Sequence, residues 1–236
     1  ELGRAVDWLT ANPEVREVIL TGGDPLMLSD ERLEAVIAAV SAVPSVRRVR
    51  IHTRFPVTLP MRITAALAAR LGAYRPLYVV THFNHPRELT PQARAAVGHL
   101  VDAGITVLEQ AVLLDGVNAD AAELGELFET LVDWQVRPYY LHHPDLTVGT
   151  QHFRVSLDRG LQLVRALRGR LTGLAWPTYV LDIPGGRGKV PVDSSYVQRE
   201  APGIWLLRSP LDGGLVRYVD PAGPAGSRPD VGATAL

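Results

Sequence analysis

"PLYVVTHFNHPRELTPQARAAVGHLVDAGITVLEQAV", residues 76–112, is the stretch whose reading decides the fold. It opens on an apolar run, passes through a polar turn, and closes on a second apolar run, "GITVLEQAV" at 104–112. Between the two, Thr90 is placed to cap a helix, Pro91 sits in its first turn and Gly104 ends it. Strand, helix and strand in this order are the unit of a parallel sheet, since parallel neighbours need a long crossover between them.

The alternation continues outward in both directions. Strand-like runs stand at 15–23, 46–54, 76–83, 104–112 and 136–143, with helix-like segments near 29–43, 61–72, 90–103, 120–134 and 155–170. Ser29 offers a cap for the first of these helices, with Arg32 at its third position. This pattern predicts a parallel sheet in a closed or partial (β/α) barrel, although periodicity alone does not separate that from a doubly wound open sheet. No fixed-period repeat is present. Past residue 172 the pattern changes to short β-like pieces, "TYVLDI", "GIWLLRS" and "GLVRYVD". The expected organisation is a partial barrel over 1–171, a C-terminal β-containing extension over 172–221, and a loose Pro/Gly/Ala-rich tail over 222–236.

Composition narrows the function. A chain of 236 residues with 47% hydrophobic content can bury a full core. A formal net charge of -1 gives no electrostatic case for nucleic acid or an anionic membrane. No apolar run approaches the roughly 18 residues of a membrane span. With no cysteine, the chain has no disulfides and no thiolate metal ligands, and no metal site is expected within it. Glu1 stands in the register of a helix and the first methionine is Met27, so the expectation is a fragment whose beginning lies upstream.

Polar residues gather where the strand-like runs end. His52, Arg54, His82, His85, Gln110, His142 and His143 all stand there, and in a (β/α) barrel those ends form the active-site face. A second signal is Lys189, the only lysine of the chain, inside "DIPGGRGKVP" at 182–191. Arginine serves everywhere else, but its guanidinium stays charged, whereas a lysine amine can lose its proton and form a Schiff base. Gly185, Gly186 and Gly188 give the loop backbone freedom beside that amine.

The segments "ILTGGDPL", "IHTRFPVTLPMRIT", "THFNHPREL", "EQAVLLDGVN", "HFRVS" and "DIPGGRGKVP", in this order, resemble the lysine 2,3-aminomutase family of radical S-adenosylmethionine (SAM) enzymes. The resemblance covers roughly residues 1 to 219 and implies a partial (β/α) radical SAM barrel with a C-terminal extension. It implies pyridoxal 5′-phosphate (PLP) on Lys189, with SAM held at the turn of Gly22, Gly23 and Asp24. Arg54, His82 and Gln110 match family positions facing the SAM and PLP cavity. Asp145 and Asp182 match the acids that hold the side-chain ammonium of L-lysine; two carboxylates suit a desolvated ammonium and repel glutamate.

The reaction so implied is an isomerisation. A reduced 4Fe–4S cluster cleaves SAM, the resulting radical takes hydrogen from C3 of lysine held on PLP, and the amino nitrogen moves from C2 to C3 to give β-lysine. The cluster ligands, a C-x3-C-x2-C loop, and the arginine that follows it would precede Glu1, so the isolated chain is expected to be inactive. Pro144 stands where the family commonly has cysteine, and "GVNAD" departs from the usual "GVND". The resemblance further implies a cytoplasmic enzyme, with an electron donor for the cluster and a homo-oligomer as candidate partners. Alternatives at this stage are a β-lysine-forming relative serving elongation factor P, a non-radical PLP enzyme on a barrel, and an inert ligand-binding module.

Overall fold

The computed structural model describes residues 1–183, 187–193, 197–209 and 212–219; Gly185, Gly186 and the tail expected at 222–236 lie outside the described residues. Helix α1 (Leu2–Ala11) leads into β1 (Glu17–Leu20). There follow α2 (Asp30–Ser41), β2 (Arg48–His52), a short α3 (Phe55–Thr58), α4 (Ala65–Gly72), β3 (Leu77–Thr81), α5 (Pro91–Asp102) and β4 (Thr106–Val112). Then come α6 (Ala121–Asp133), β5 (Arg137–His142), α7 (Leu157–Leu167), β6 (Thr178–Asp182) and β7 (Lys189–Pro191). Last, β8 (Val197–Ala201), β9 (Ile204–Arg208) and β10 (Leu215–Val219) form a separate antiparallel sheet.

The main sheet runs β1 to β7 in chain order, with β1 to β6 parallel and β7 antiparallel on β6. A doubly wound sheet would reverse its order part-way, and this one does not. Among the described residues β1 pairs only with β2 and β7 only with β6, so the curled sheet is a half-barrel. The division expected at 171 falls between α7 and β6, and β6 is hydrogen-bonded to β5 within the same sheet.

Local sequence sets the helix ends. Ser29, Thr64, Thr90 and Ser156 each accept a hydrogen bond from a backbone N–H of the first turn that they cap. Asp120, next to the extra alanine of "GVNAD", does the same for two N–H groups of α6. At the far end of α5, Gly104 takes φ +73°, which lets its N–H reach Val101 O and the next N–H reach Leu100 O.

Strand alternation sorts the two faces of the sheet. Val49, Ile51, Leu77, Val79, Val107, Ala111 and Leu141 are buried under the helices, against Leu33, Ile37, Leu67, Val97, Phe128 and Leu163. The residues between them, Arg50, His52, Tyr78, Gln110, Tyr140 and His142, are only half-buried and line the concave face. Sheets covered on both faces are apolar throughout. The half-barrel keeps its inner face polar, which is why "VRRVRIHTR" alternates.

Candidate active site

The first cavity, about 520 Å³, opens at the carboxyl ends of β1 to β4 and is lined by Thr21, Gly22, Gly23, Asp24, His52, Thr53, Arg54, Phe55, Thr58, His82 and Gln110. Gly22 holds φ +113°, a conformation that side chains disfavour, and a Cβ on Gly22 or Gly23 would point into open space. The backbone of this turn is therefore bare toward the cavity. Asp24 acts differently. Its carboxylate accepts from Leu26 N at 3.0 Å, Arg54 N at 2.9 Å and Thr53 Oγ1 at 2.8 Å, fastening the end of β1 to the end of β2.

Gln110 Nε2 donates to His82 Nε2 at 3.0 Å, which puts the ring proton of neutral His82 on Nδ1. Burial, then the charges of His52 and Arg54, pull the His82 pKa down to about 4, so the ring is neutral at pH 7. His52 is shifted down by burial and by Arg50, and its Nε2 is buried without a partner. Arg54 extends its guanidinium to Glu88 at 3.3 Å.

Behind this cavity, Asn84 and the fully buried Asn118 tie the ends of β3 and β4 together. Asn118 Nδ2 donates to Asn84 O and Val112 O at 2.7 and 2.8 Å, and its Oδ1 accepts from Leu114 N at 2.7 Å. Asn84 Oδ1 accepts from Val112 N at 2.8 Å. The sequence marks both asparagines, in "HFNH" and "GVN", but not this framing role. Nor does it mark Glu109, which faces the helices fully buried, accepts from Phe83 N at 2.8 Å and has its carboxyl pKa pushed well above the usual range by burial.

The second cavity, about 390 Å³, lies at the ends of β5 and β6 and is lined by His143, Pro144, Asp145, Leu146, Thr147, Leu181, Asp182 and Ile183. Both Asp145 and Asp182 line it. Neither acid is buried: Asp145 is exposed and the Asp182 side chain keeps 41% of its surface. The loop of Asp145 is anchored by His143, whose Nδ1 is bonded to Tyr179 OH at 2.7 Å. Tyr179 fits there because residue 160 of α7 is glycine: a Cβ at Gly160 would lie 1.9 Å from the Tyr179 hydroxyl.

Lys189 stands directly across from Asp182 in the β6–β7 ladder. Its Nζ is 2.5 Å from Asp182 Oδ2, 3.3 Å from His142 Nδ1 and 5.6 Å from the centre of the Tyr140 ring. His142 Nδ1 is also 3.3 Å from Asp182 Oδ2. The hydrogen bond from Lys189 holds the Asp182 carboxyl below the usual range. Gly188, at φ +95°, lets the chain turn back into β7 immediately before the lysine.

Of the strand-end residues, His52, Arg54, His82 and Gln110 thus meet at one cavity, while His142 joins Lys189 and Asp182. His85 does not converge with them. Its Nδ1 accepts from Arg87 N, and its Nε2 is 3.4 Å from Glu123 on α6. No group of three metal-ligating side chains occurs among the described residues, and the chain has no cysteine; it offers no ligands for an iron–sulfur cluster. The residues present do fit the organic groups. Lys189 supplies a primary amine, paired with Asp182 beside a cavity, and the first cavity joins bare glycine backbone to the unpartnered His52 Nε2.

Residues 164–230 match the family described as lysine-2,3-aminomutase. The L-lysine 2,3-aminomutase of Fusobacterium nucleatum is 42% identical over 93% of this chain and 52% of its own length. The glutamate 2,3-aminomutase of Clostridioides difficile is 38% identical over 92% of this chain and 51% of its own length. The chain spans about half the length of the curated relatives it matches. In fold it is similar to a radical SAM methyltransferase from Sphaerobacter thermophilus, with a TM-score of 0.55 at 18% identity over 79% of this chain and 57% of that one. Over the stretch it shares with them the chain is similar to lysine and glutamate 2,3-aminomutases, and its half-barrel has the fold of the radical SAM enzymes.

Proposed function

We propose that this chain carries the substrate and PLP sites of a radical SAM aminomutase that converts L-lysine to β-lysine by moving the amino group from C2 to C3. The observation that carries the reading is the placement of Lys189. The one lysine of the chain stands in register with Asp182, and Asp182 lines a cavity together with Asp145. PLP, when bound to that amine, supplies delocalisation of the unpaired electron during migration. No step through an iron–sulfur cluster is assigned to these residues, which offer it no ligands.

The chain's own residues then divide the work. Lys189 would hold PLP through its side-chain amine. Asp145 and Asp182 draw the distal ammonium of L-lysine to the second cavity. The bare backbone of Gly22 and Gly23, with Arg54, His82 and Gln110, receives SAM in the first cavity, and Asp24 keeps that turn in place. His82, neutral at pH 7, would add no positive charge to that cavity.

Both lysine and glutamate aminomutases occur among the relatives, so the acids decide the substrate. A glutamate side chain would meet two carboxylates in the second cavity, a repulsive arrangement. Titration of PLP-loaded protein with each amino acid, followed by the shift of the Schiff-base absorbance, tests this. L-Lysine is expected to produce the shift at a concentration at least about tenfold below L-glutamate, a difference of about 1.4 kcal/mol. Equal or reversed potency would contradict the lysine assignment.

A further inference from the structure

The amine of Lys189 has two partners, and only one of them is needed to neutralise it. Asp182 Oδ2, at 2.5 Å, answers its charge; His142 Nδ1, at 3.3 Å, adds a second contact from the neighbouring strand β5. An ammonium can only donate, so in its bond to Lys189 Nδ1 is the acceptor, and the ring proton of neutral His142 then sits on Nε2, which is buried without a partner. In that tautomer Nδ1 and the Asp182 carboxylate, 3.3 Å apart, share no proton, and the ammonium lies between two acceptors. The lone pair of an imidazole aimed at the ammonium is the arrangement a proton acceptor requires.

We propose that His142 is a catalytic residue that moves protons to and from the Lys189 amine when that amine enters or leaves its Schiff base. This rests on the reading of Lys189 as the PLP lysine. The sequence of bonds closes without any further reactant. One Lys189 N–H bond breaks and its proton goes to His142 Nδ1. The freed lone pair forms a bond to the aldehyde carbon, the carbonyl π pair moves onto oxygen, and His142 returns the proton to that oxygen. A second N–H proton follows the same route, the C–O bond breaks and water leaves. The third proton stays on nitrogen, beside Asp182. Charge is unchanged from start to finish.

The surroundings keep His142 in the accepting state. Burial, and then the Lys189 charge, lower its pKa from the ordinary 6.5, against the opposing pull of Asp182 and Asp145. From β2 and β3, His52 and His82 lie near enough to interact with it, and both are themselves shifted down. Tyr140, on its own strand, packs edge-on against the ring at 5.6 Å between centroids. At pH 7 the imidazole is neutral with a lone pair available.

The test follows PLP uptake, with no turnover involved. Purified protein is mixed with PLP, Schiff-base absorbance is recorded against time from pH 5 to 9, and borohydride-reduced protein is digested to find the labelled peptide. Transfer between a neutral imidazole and an ammonium predicts a wild-type rate that levels off above the His142 pKa. In His142→Phe the rate should be about 100-fold lower at pH 7 and climb by about tenfold per pH unit, as for an unassisted amine. His142→Gln separates proton transfer from positioning, because its amide oxygen accepts a hydrogen bond but takes up no proton; it should be as slow as His142→Phe. It also carries the test if His142→Phe does not fold, as judged by circular dichroism. A near-wild-type rate and plateau in His142→Gln would overturn the proposal. If wild-type protein labels no peptide containing Lys189, the reading of Lys189 fails and this one with it; labelling of wild type with unchanged kinetics in both variants defeats only the His142 role.

Discussion

Asp24 and Asp182 both stand at the carboxyl end of the same sheet, and the structure uses them in opposite ways. Asp24 is enclosed by donors from its own chain, two backbone N–H groups and a threonine hydroxyl, and so is part of the frame. Asp182 is paired with the Lys189 ammonium and its side chain stays 41% exposed. The same contrast runs through the two cavities. The one at β1 to β4 is bordered by the Asp24 and Asn118 networks, whereas the one at β5 and β6 is bordered by an exposed loop and a hairpin. A rigid cradle suits a ligand that must be placed without error. An exposed ion pair that can exchange partners suits the role proposed for Lys189 as the lysine that holds PLP.

Removing a frame residue should therefore cost folding stability, and the largest effect is expected at Asn118. Asn118→Ala strands Leu114 N, Asn84 O and Val112 O in a buried site, which should cost about 3 kcal/mol in denaturant unfolding. A loss below about 1 kcal/mol would mean that the β3–β4 frame does not depend on it.

Gly160→Ala comes next. The new methyl would overlap the Tyr179 hydroxyl and push it from His143, at a cost of about 1–3 kcal/mol from overpacking. Gly160→Ala combined with Tyr179→Phe should recover part of that loss; no recovery would place the strain elsewhere.

The acids of the second cavity should behave the other way. Asp182→Asn is expected to change stability by no more than about 1 kcal/mol, since the pair it breaks is solvent-exposed. It should weaken L-lysine binding to PLP-loaded protein about tenfold while PLP still loads. Asp145→Asn, at a more exposed position, should weaken lysine less. Wild-type lysine affinity in both variants would show that the ammonium is read elsewhere.

Titration behaviour sharpens the contrast between the two faces of the sheet. On the concave face and in the adjoining loop His52, His82, His142 and His143 are all shifted down, so between pH 6.5 and about 4 the unfolded chain binds more protons than the folded one. Stability from this source is complete above 6.5 and lost as the pH falls. Glu109, on the helix side, has its pKa raised, so its contribution is present at low pH and lost as pH rises above 4.5. Glu109→Gln keeps the acceptor for Phe83 N and should become progressively more stabilising, relative to wild type, from pH 5 to pH 8. A difference independent of pH would show that burial does not raise the Glu109 pKa.

Much of this was legible in the residues. Caps at Ser29 and Thr90, the stop at Gly104 and the strand–helix alternation follow from local chemistry, and they mark the succession of strands and helices through β5, though not the order of strands in the sheet. What remained hidden depends on contacts far apart in sequence. "TYVLDI" reads as an isolated β piece because nothing local says that it will pair with β5. Asp24 reads as a ligand for SAM because its donors, Thr53 and Arg54, are some 30 positions away. His142 and His143 look equivalent in "LHHPD", yet strand alternation turns one toward Lys189 and the other toward Tyr179. The expectation of a buried ammonium receptor also exceeded what the residues could tell, since exposure is set by the loop around Asp145.

Borohydride reduction of protein loaded with PLP, followed by mapping of the modified peptide, tests the central claim most directly. The account predicts one adduct, on the peptide that contains Lys189, and its loss in Lys189→Arg, whose guanidinium cannot form the Schiff base. An adduct that survives in Lys189→Arg, or its absence from wild-type protein, would contradict the assignment of Lys189 as the PLP lysine.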